Sequence, residues 1–412
     1  MNCTGGAQGP NGSKRAGSVA PMRSRWSAGS RRRAILSSSG ASEMTRVSFE
    51  RVTPNNLTAP PAELRAKGPV GVTKEELGLR HVLFVNDVAF ISETIASAMP
   101  SFGFHAKIVG WRAKDGPRRR SNFIRTSSRL LRRFADFQEV DLVHVNYGLF
   151  GYAALMAPGK PTVLHLHGSE IRPADSTRGR IARASSRWFS RYCSAVWYST
   201  TDLKDVVRQA GLLGRFMPSP VADFFFTATP QVPPKPHVLF AIPLSRSKGA
   251  ELAIEAMQVL ADGTPDCRMS AFGFGISDEE AVALRRRIPS SVRLLSWTPH
   301  QAMPQLLAEA TIIVGQLGLG ALGITELEAM ALRRPVVARL GKPLPEVEPY
   351  YARDPPVLSC ESGERVAQTV LDLLQDSARM ERLGEDGRTW VQEYHSAQTV
   401  AKLYADEYRK LL

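Results

Sequence analysis

A strand, a glycine-rich loop, a helix and a second strand follow one another between residues 311 and 340, and this succession constrains the fold more than any other stretch. Residues 311–314 and 336–338 are short apolar runs typical of buried strands. Between them lie the sequence GQLGLGALG and residues 324–332, whose Ala and Met content predicts a helix. Such a unit places backbone N–H groups and the positive end of a helix dipole beside a ligand. A diphosphate suits that position.

Two glutamates, Glu326 and Glu328, stand in the first turns of this helix. A carboxylate does not suit a phosphate, but it accepts hydrogen bonds from two sugar hydroxyls, so one of the pair is a candidate to bind a ribose. The alternative is that both are solvated glutamates favoured by the helix dipole. The glycine loop by itself favours the second interpretation, because glycine-rich loops are weak evidence of a site.

The length and charge of the chain limit the classes of protein it can belong to. Its 412 residues, 43% of them hydrophobic, suffice for two domains and a tail. Lys and Arg number 53 against 39 Asp and Glu, so the formal charge is +14 and the pI is near 9.9. This balance predicts an anionic partner: a nucleotide, a membrane surface or a nucleic acid. Without a zinc finger, an aromatic RNA-binding signature or a basic zipper, we expect no nucleic-acid partner.

The cysteines and the apolar runs bear on the compartment. Cys3, Cys193, Cys267 and Cys360 lie far apart and lack metal-ligand spacing, which favours a reducing cytoplasm. No apolar run in the sequence approaches the length that spans a bilayer. We therefore expect a cytoplasmic protein.

Residues 1–78 are dominated by Ser, Gly, Arg and Pro and predict a disordered basic tail. An Arg- and Ser-rich leader poor in acidic residues is typical of an organelle transit peptide. The alternative, which we favour, is that translation begins at Met22 or Met44.

Two series of alternating strands and helices follow the tail. The first contains HVLFVND, VDLVHVNYG and PTVLHLH, and the second begins with HVLFAIP at residue 237. The proline-rich PQVPPKP at residues 230–236 is a stiff linker between them. This rhythm predicts two Rossmann-like α/β/α domains, residues 79–229 and 237–395. Residues 378–383 and 387–394 predict two short helices before a last helix at 397–412.

Three other turns carry candidate ligand-binding side chains. His167 ends a predicted strand, although a lone histidine at a strand end is more often structural. Arg246 and Lys248 lie in the loop SRSKG, where two cations suit a leaving diphosphate, the alternative being a pair of surface cations. Trp297, in SWTPH, either flanks a base or belongs to the core.

Residues 118–134 predict a basic amphipathic helix. Such a helix can lie on an anionic membrane, or it can be an ordinary helix with a solvated arginine face. The residues near helical spacing are apolar on one side and arginine on the rest: Phe123, Ile124, Leu130, Leu131 and Phe134, against Arg118, Arg119, Arg120, Arg125, Arg129, Arg132 and Arg133.

Four of these elements in this order, the HGSE turn, the SRSKG loop, the WTPH turn and ELEAMA, resemble retaining glycosyltransferases of the GT-B fold, in particular glycosyltransferase family 4. The resemblance covers nearly all of residues 80–412. It implies an acceptor-binding first domain, a nucleotide-sugar-binding second domain across a cleft, and a C-terminal helix, 396–412, that crosses back to the first domain.

The resemblance also assigns roles. Glu328 binds the ribose, and the base lies near Trp297. Lys248 binds the donor diphosphate, and His167 faces the cleft. Lys248, Glu328 and His167 are the candidate catalytic residues. The remaining candidates on the donor diphosphate are Arg246, Gly249, Gly320, Gly323, Ile324 and Thr325. Those on the side of the donor sugar or the acceptor are Gly168, Glu170 and Gln316.

Three positions depart from the family pattern. Gly320 stands where the family has a glutamate that helps hold the donor sugar, so Gln316 and the loop backbone are expected to replace it. Arg333 stands where the family has a glycine. Pro243 stands where the family has an arginine, and Arg246 is expected to substitute.

The expected activity is therefore transfer of a sugar from a nucleotide-diphosphate sugar to an acceptor hydroxyl on a sugar or a lipid-linked molecule. The resemblance implies front-face substitution with retained configuration, in which the leaving diphosphate accepts the acceptor's proton. No Asp-x-Asp motif ends a predicted strand, so we expect no metal, and no other cofactor. The alternatives are a non-catalytic nucleotide-sugar-binding member and, from another reaction class, a nucleotide-sugar epimerase.

Overall fold

The computed structural model describes residues 78–110, 121–173, 176–263, 266–275 and 278–412. These residues belong to one compact unit. The prediction of a disordered tail falls almost wholly on residues outside these ranges, as do residues 118–120 of the predicted basic helix.

Twelve strands within these ranges form two sheets of six, and every pairing in both sheets is parallel. The first sheet has the order β2-β1-β3-β4-β5-β6 and the second β12-β11-β10-β7-β8-β9. The strands are β1 Arg80–Val85, β2 Phe104–Val109, β3 Leu142–Asn146, β4 Thr162–Leu166, β5 Ala195–Tyr198, β6 Gly214–Phe216, β7 His237–Phe240, β8 Arg268–Phe272, β9 Val292–Leu295, β10 Ile312–Val314, β11 Val336–Ala338 and β12 Leu358–Ser359.

Helices cover the sheets. The α-helices are α1 Ile91–Ala98, α2 Ser121–Arg132, α3 Phe134–Glu139, α4 Thr177–Phe189, α5 Leu203–Gln209, α6 Asp223–Thr227, α7 Ala250–Gly263, α8 Asp278–Arg285, α9 Met303–Ala308, α10 Ile324–Ala331, α11 Leu344–Val347, α12 Gly363–Leu374, α13 Ser377–His395 and α14 Ala397–Leu411. Short 3₁₀ turns lie at Met99–Phe102, Gly148–Met156, Ser190–Tyr192, Arg246–Lys248 and His300–Ala302.

The strands are mostly apolar because both faces of each sheet are covered. All residues of β3, β4 and β7 are buried, including the histidines within them. The polar turns that follow β1, β3, β4, β7 and β10 therefore emerge at the carboxyl edges of the sheets, where ligands bind in parallel α/β folds. The predicted fold class, two Rossmann-like parallel sheets with helices, is confirmed.

One prediction near the end of the chain is wrong. The two short helices expected at residues 378–383 and 387–394 are one continuous helix, α13. Its internal glycines allow close packing on α10: a Cβ at Gly384 would lie 2.4 Å from the carbonyl oxygen of Arg333, and a Cβ at Gly387 would lie 3.2 Å from Cγ of Met330.

The chain crosses between the halves in two segments that lie side by side. Val221 and Ser396 form a parallel bridge, and the N–H of Val221 donates to the carbonyl of His395 at 2.7 Å. His395 is buried there; its Nδ1–H donates to the Ser219 carbonyl at 2.7 Å, and its Nε2 accepts from the Tyr351 hydroxyl at 3.1 Å. This pairing connects the two halves through backbone as well as side chains.

The last helix, α14, packs on the first sheet as expected. Tyr404 and Tyr408 of α14 are fully buried, and the ring of Tyr408 stacks on Trp197 of β5 at 5.5 Å. Beneath them, His144 Nδ1 lies 2.7 Å from the Tyr408 hydroxyl and His144 Nε2 lies 3.2 Å from His165 Nδ1. Burial lowers the pKa of His144 well below its usual value and that of His165 to about 3.

These buried histidines make the fold sensitive to acid. Burial lowers the pKa of His165 to about 3 and that of His395 to about 4, against 6.5 for an exposed histidine. The unfolded chain takes up these protons at a higher pH than the folded protein does. The two neutral histidines therefore contribute fully to the free energy of unfolding above pH 6.5, and this contribution falls as the pH drops below 6.5. At pH 5 each residue accounts for a loss of about 2 kcal/mol.

Urea unfolding of the full chain between pH 7.5 and pH 4.5 measures this loss. His165→Asn is expected to flatten the profile, whereas the same change at exposed His105 leaves it as in the wild type. Equal free energies of unfolding at pH 7 and pH 5 would contradict the assignment.

Candidate functional site

Two loops of the second half pack backbone against backbone. Gly249 has a φ of +83°, and a Cβ there would lie 2.6 Å from the Gly318 nitrogen. Conversely, a Cβ at Gly318 would lie 2.4 Å from the Ser247 carbonyl oxygen. The N–H of Leu317 donates to the Lys248 carbonyl at 3.0 Å, so the SRSKG loop and the glycine loop hold each other at a fixed distance.

Lys248 is largely buried between these loops. Its Nζ donates to Oε1 of Gln316 at 3.3 Å. Burial lowers the pKa of Lys248, and the charge of Arg172 lowers it further, whereas Glu326 and Asp202 raise it. Since Arg172 and Asp202 belong to the first half, charges from both halves of the molecule affect the pKa of Lys248.

Glu326 holds the start of α10. It is 3% exposed; its Oε1 accepts from the Gln316 N–H at 2.5 Å and its Oε2 from the Gly323 N–H at 3.1 Å. The Gln316 side chain is also engaged, because its Nε2 donates to the Ala321 carbonyl. The interpretation of Glu326 and Glu328 as solvated glutamates is wrong, since both are buried.

Glu328 lies two residues further along α10 and is 2% exposed. Its Oε1 accepts from Nε2 of His300, at 2.5 Å. Burial raises the pKa of Glu328, and the hydrogen bond from His300 opposes that rise. The carboxylate predicted to bind a ribose is therefore desolvated and held by one specific donor.

The HGSE turn follows β4 in the first half, next to Arg172, whose charge acts on Lys248. Nε2–H of His167 donates to Oδ1 of Asn146 at 2.9 Å, and the His167 N–H donates to Oε1 of the fully buried Glu170 at 2.7 Å. Gly168 has a φ of +123°, and a Cβ there would lie 1.9 Å from Nη1 of Arg172. The glycine therefore lets the Arg172 guanidinium pack on the turn, where it pairs with Asp202 at 2.7 Å.

Two predicted residues lie more openly. The Arg246 side chain is exposed, and its Nε lies 3.3 Å from Oε1 of Glu251, which also pairs with Arg287 at 2.9 Å. Trp297 is 37% exposed, so it is not a core residue. Ile324 and Thr325 are half-buried at the start of α10.

Gly320 adopts the left-handed conformation, with a φ of +69°. Its carbonyl accepts from the Gly341 N–H at 2.9 Å, and a Cβ would lie 3.2 Å from the Gly341 backbone. The loop conformation itself therefore favours glycine at this position over the family's glutamate.

Sequence reasoning missed three polar residues of the site. His300 stands in the WTPH turn, where Trp297 was the predicted side chain. Asn146 ends the apolar strand β3, and Asp202 follows β5, so their positions at carboxyl ends of parallel strands were the available signal. Within the described ranges, no three His, Cys, Asp or Glu side chains are grouped so that they could hold a metal ion.

Two protein-family models match the chain. Residues 87–215 match the family model described as Glycosyltransferase Family 4, and residues 223–390 match Glycosyl transferases group 1. The chain belongs to the GT-B glycosyltransferases of the group 1 and family 4 type. The two matches divide between the two sheets.

Curated relatives of this glycosyltransferase family match in part. A GDP-mannose-dependent monoacylated alpha-(1-6)-phosphatidylinositol monomannoside mannosyltransferase from Corynebacterium glutamicum is 28% identical over 153 residues, 35% of this chain and 39% of that protein. Alpha-D-kanosaminyltransferase from Streptomyces kanamyceticus is 30% identical over 106 residues, 25% of this chain and 28% of that protein. The chain thus aligns with well under half the length of these relatives.

Solved GT-B structures match over a longer span. Sucrose-phosphate synthase from Thermosynechococcus elongatus superimposes with a TM-score of 0.61 at 16% identity, over 81% of this chain and 99% of that one. HepE from Anabaena, in complex with UDP and glucose, gives a TM-score of 0.58 at 15% identity, over 80% and 99%. At these identities the likeness concerns the fold.

The departure at Arg333 is testable. Arg333 directly follows α10 and has a φ of +56°, a conformation that glycine adopts without strain. Its Nε pairs with Oε1 of Glu385 at 2.5 Å on a half-exposed surface. We expect Arg333→Gly to have a higher free energy of unfolding than Arg333→Ala, by about 1 kcal/mol, because both lose the ion pair but only alanine keeps the left-handed strain. Urea unfolding measures the difference, and an alanine variant as stable as the glycine variant would contradict it.

Proposed function

We propose that the chain transfers a sugar from a nucleotide-diphosphate sugar, bound on the second half, to an acceptor hydroxyl bound on the first half. The observation that carries this proposal is the convergence of Lys248, the start of α10 and Glu328 beside one glycine loop. A cation, the N–H groups of a helix start and a buried carboxylate around one loop suit a diphosphate followed by a ribose.

The donor diphosphate lies between Lys248 and the turn from Gly320 to Ile324, with Gly323 and Thr325 beside it. An ammonium in a desolvated site interacts with a phosphate far more strongly than it does in water. Gly249 fixes the approach of Lys248, and Gln316 supports its ammonium at 3.3 Å. The base lies near Trp297, and Arg246 reaches the diphosphate only if it leaves Glu251.

The sugar lies toward the first half, against the glycine-loop backbone and His167, with Gly168 and Glu170 shaping the turn. As the bond between the anomeric carbon and the diphosphate oxygen breaks, negative charge grows on the diphosphate, and Lys248 stabilises it. The acceptor oxygen attacks the same face and its proton passes to the released diphosphate, so configuration is retained. No side-chain nucleophile, metal ion or other cofactor enters this scheme.

A non-catalytic nucleotide-sugar-binding protein is the second candidate, and Gly320 is the observation that favours it. The backbone at Gly320 is in the left-handed conformation, which a glutamate could adopt only with strain. Incubating the purified chain with nucleotide sugars separates the two candidates. Release of nucleoside diphosphate, by hydrolysis or transfer, supports the enzyme; binding of donor without any turnover supports the second candidate.

Substitutions at the donor site test the proposal. We expect nucleoside diphosphates such as UDP or GDP to raise the melting temperature of the full chain, because they bind only the folded state. Lys248→Met and Glu328→Gln should each weaken binding by about 10- to 100-fold, since each removes a charged hydrogen-bonding group. Titration calorimetry measures the affinities. Lys235→Met, at an exposed lysine of the linker that precedes the second half, serves as the control.

The donor proposal fails if none of the nucleoside diphosphates binds, or if Lys248→Met binds as tightly as the control.

We also propose that the basic helix contacts an anionic membrane from the cytoplasmic side, which would bring a lipid-linked acceptor to the first half. Leu130 points into the core, whereas Ile124 and Leu131 of α2 are 71% and 68% exposed. Phe134, at the start of α3, is 49% exposed. No helix in the described part of the chain is both long and apolar enough to span a bilayer. Exposed apolar side chains among arginines suit the surface of an anionic bilayer.

Liposome sedimentation tests this contact. We expect the full chain to sediment with vesicles containing anionic lipid at low salt and to be released by salt. Ile124→Glu with Leu131→Glu should abolish sedimentation, because the change replaces inserted apolar groups by repelled charges. Val282→Glu, at an exposed apolar residue of the second half, should not. The proposal would be contradicted if the chain bound neutral and anionic vesicles equally, or if the double variant bound anionic vesicles as well as the wild type does.

A further inference from the structure

His300 connects the ribose carboxylate to the opposite half of the molecule. It begins the 3₁₀ turn after β9, and its Nε2 lies 2.5 Å from Oε1 of Glu328. The two side chains are 11% and 3% exposed. The hydrogen bond is therefore shielded from solvent.

Aromatic rings enclose the imidazole of His300. Phe90 stacks on it with ring centroids 3.9 Å apart and an interplanar angle of 16°. Phe225 and Phe224, both of α6, approach it at 5.2 and 5.4 Å, the latter edge-on. Because the ring is packed on a face and at its edges, its orientation, and that of its N–H, is fixed.

Phe90 comes from the turn that joins β1 to α1 in the first half. This turn contains three non-glycine residues in the left-handed region: Asn86 with a φ of 67°, Ala89 with 51° and Phe90 with 62°. Each is disfavoured by local sterics and persists only when surrounding contacts determine it. The stack on His300 is one such contact, and it lies between the two halves.

We propose that His300 is a positioning residue for the donor's ribose, and that Phe90 holds it in place from the other half. His300 occupies one oxygen of the Glu328 carboxylate and turns the other oxygen toward the ribose hydroxyls. This inference rests on the proposed function. It makes the ribose site complete only when the two halves are in contact.

The electrostatics of Glu328 explain why the carboxylate needs a donor. A buried carboxylate without a hydrogen-bond donor tends to take up a proton, and a protonated carboxyl is a poorer acceptor for hydroxyls. Burial and the charge of Glu326 favour the protonated form of Glu328, and the bond from His300 opposes them. Without that bond, the ribose hydroxyls would face a carboxyl that is both misdirected and more easily protonated.

Ribose discrimination tests the proposal directly. Calorimetry with the full chain compares a nucleoside diphosphate with its 2′-deoxy and 3′-deoxy counterparts. We expect the wild type to prefer the ribonucleotide about 10-fold or more over at least one counterpart. His300→Leu should lose this preference by weakening only ribonucleotide binding. His300→Gln should keep it, because the Gln Nε2 lies at the position of the His Nε2, whereas His300→Asn, one methylene shorter, should lose it.

Two further variants complete the design. Phe90→Leu should reduce the preference, because the imidazole loses its stacking partner, and His105→Leu, at an exposed histidine of β2, should leave it unchanged. If the wild type binds no nucleoside diphosphate, the proposed function itself fails. If the wild type prefers ribose and His300→Leu keeps that preference, or if Gln and Asn at position 300 behave alike, the role of His300 is overturned while the donor site stands.

Discussion

The close contact between the SRSKG loop and the glycine loop is the constraint on which the site depends. Any side chain at Gly249 or Gly318 would overlap the opposite backbone. A Cβ at Gly249 would lie 2.6 Å from the Gly318 nitrogen, and a Cβ at Gly318 would lie 2.4 Å from the Ser247 carbonyl oxygen. The two loops follow β7 and β10, neighbours in the second sheet. Because each loop continues from one of these two parallel strands, their contact fixes the position of the Lys248 ammonium relative to the start of α10.

The charged groups around that contact are arranged as partners before any ligand is considered. Lys248 bonds Gln316, Glu326 closes the loop onto α10, and Glu328 bonds His300. Across from them, Arg172 is paired with Asp202. Groups fixed in a poorly solvated site need little reorganisation when charge develops on a leaving group, which is the main way such sites stabilise a transition state.

Much of the fold was predictable from the sequence because the strands are parallel and covered on both faces. Such strands appear as uninterrupted apolar runs, and the polar turns that follow them mark the site. The resemblance predicted Lys248 and Glu328 in one site, and the structure brings Lys248 to Gln316 of the glycine loop and Glu328 to the helix that follows this loop. The single helix α13 was not predictable, because its glycines serve contact with α10 rather than interruption of the helix.

The partnerships of the site lay beyond the sequence for a different reason. Which carboxylate holds the loop and which one faces a ligand depends on where Gln316, Gly323 and His300 come in space. Glu326 and Glu328 are equivalent in sequence pattern, yet only the first bonds backbone N–H groups. Likewise, nothing local indicates that Phe90 stacks on a histidine 210 positions later in the chain.

Hydrogen–deuterium exchange of the full chain with and without a nucleoside diphosphate tests the central claim most directly. If the diphosphate lies between the two loops, exchange should slow at Arg246–Lys248 and in the segment from Gly315 to the start of α10, with a smaller effect around His300. Protection confined to the first half, or exchange unchanged in both loops at a saturating concentration of a nucleotide that binds, would contradict the account.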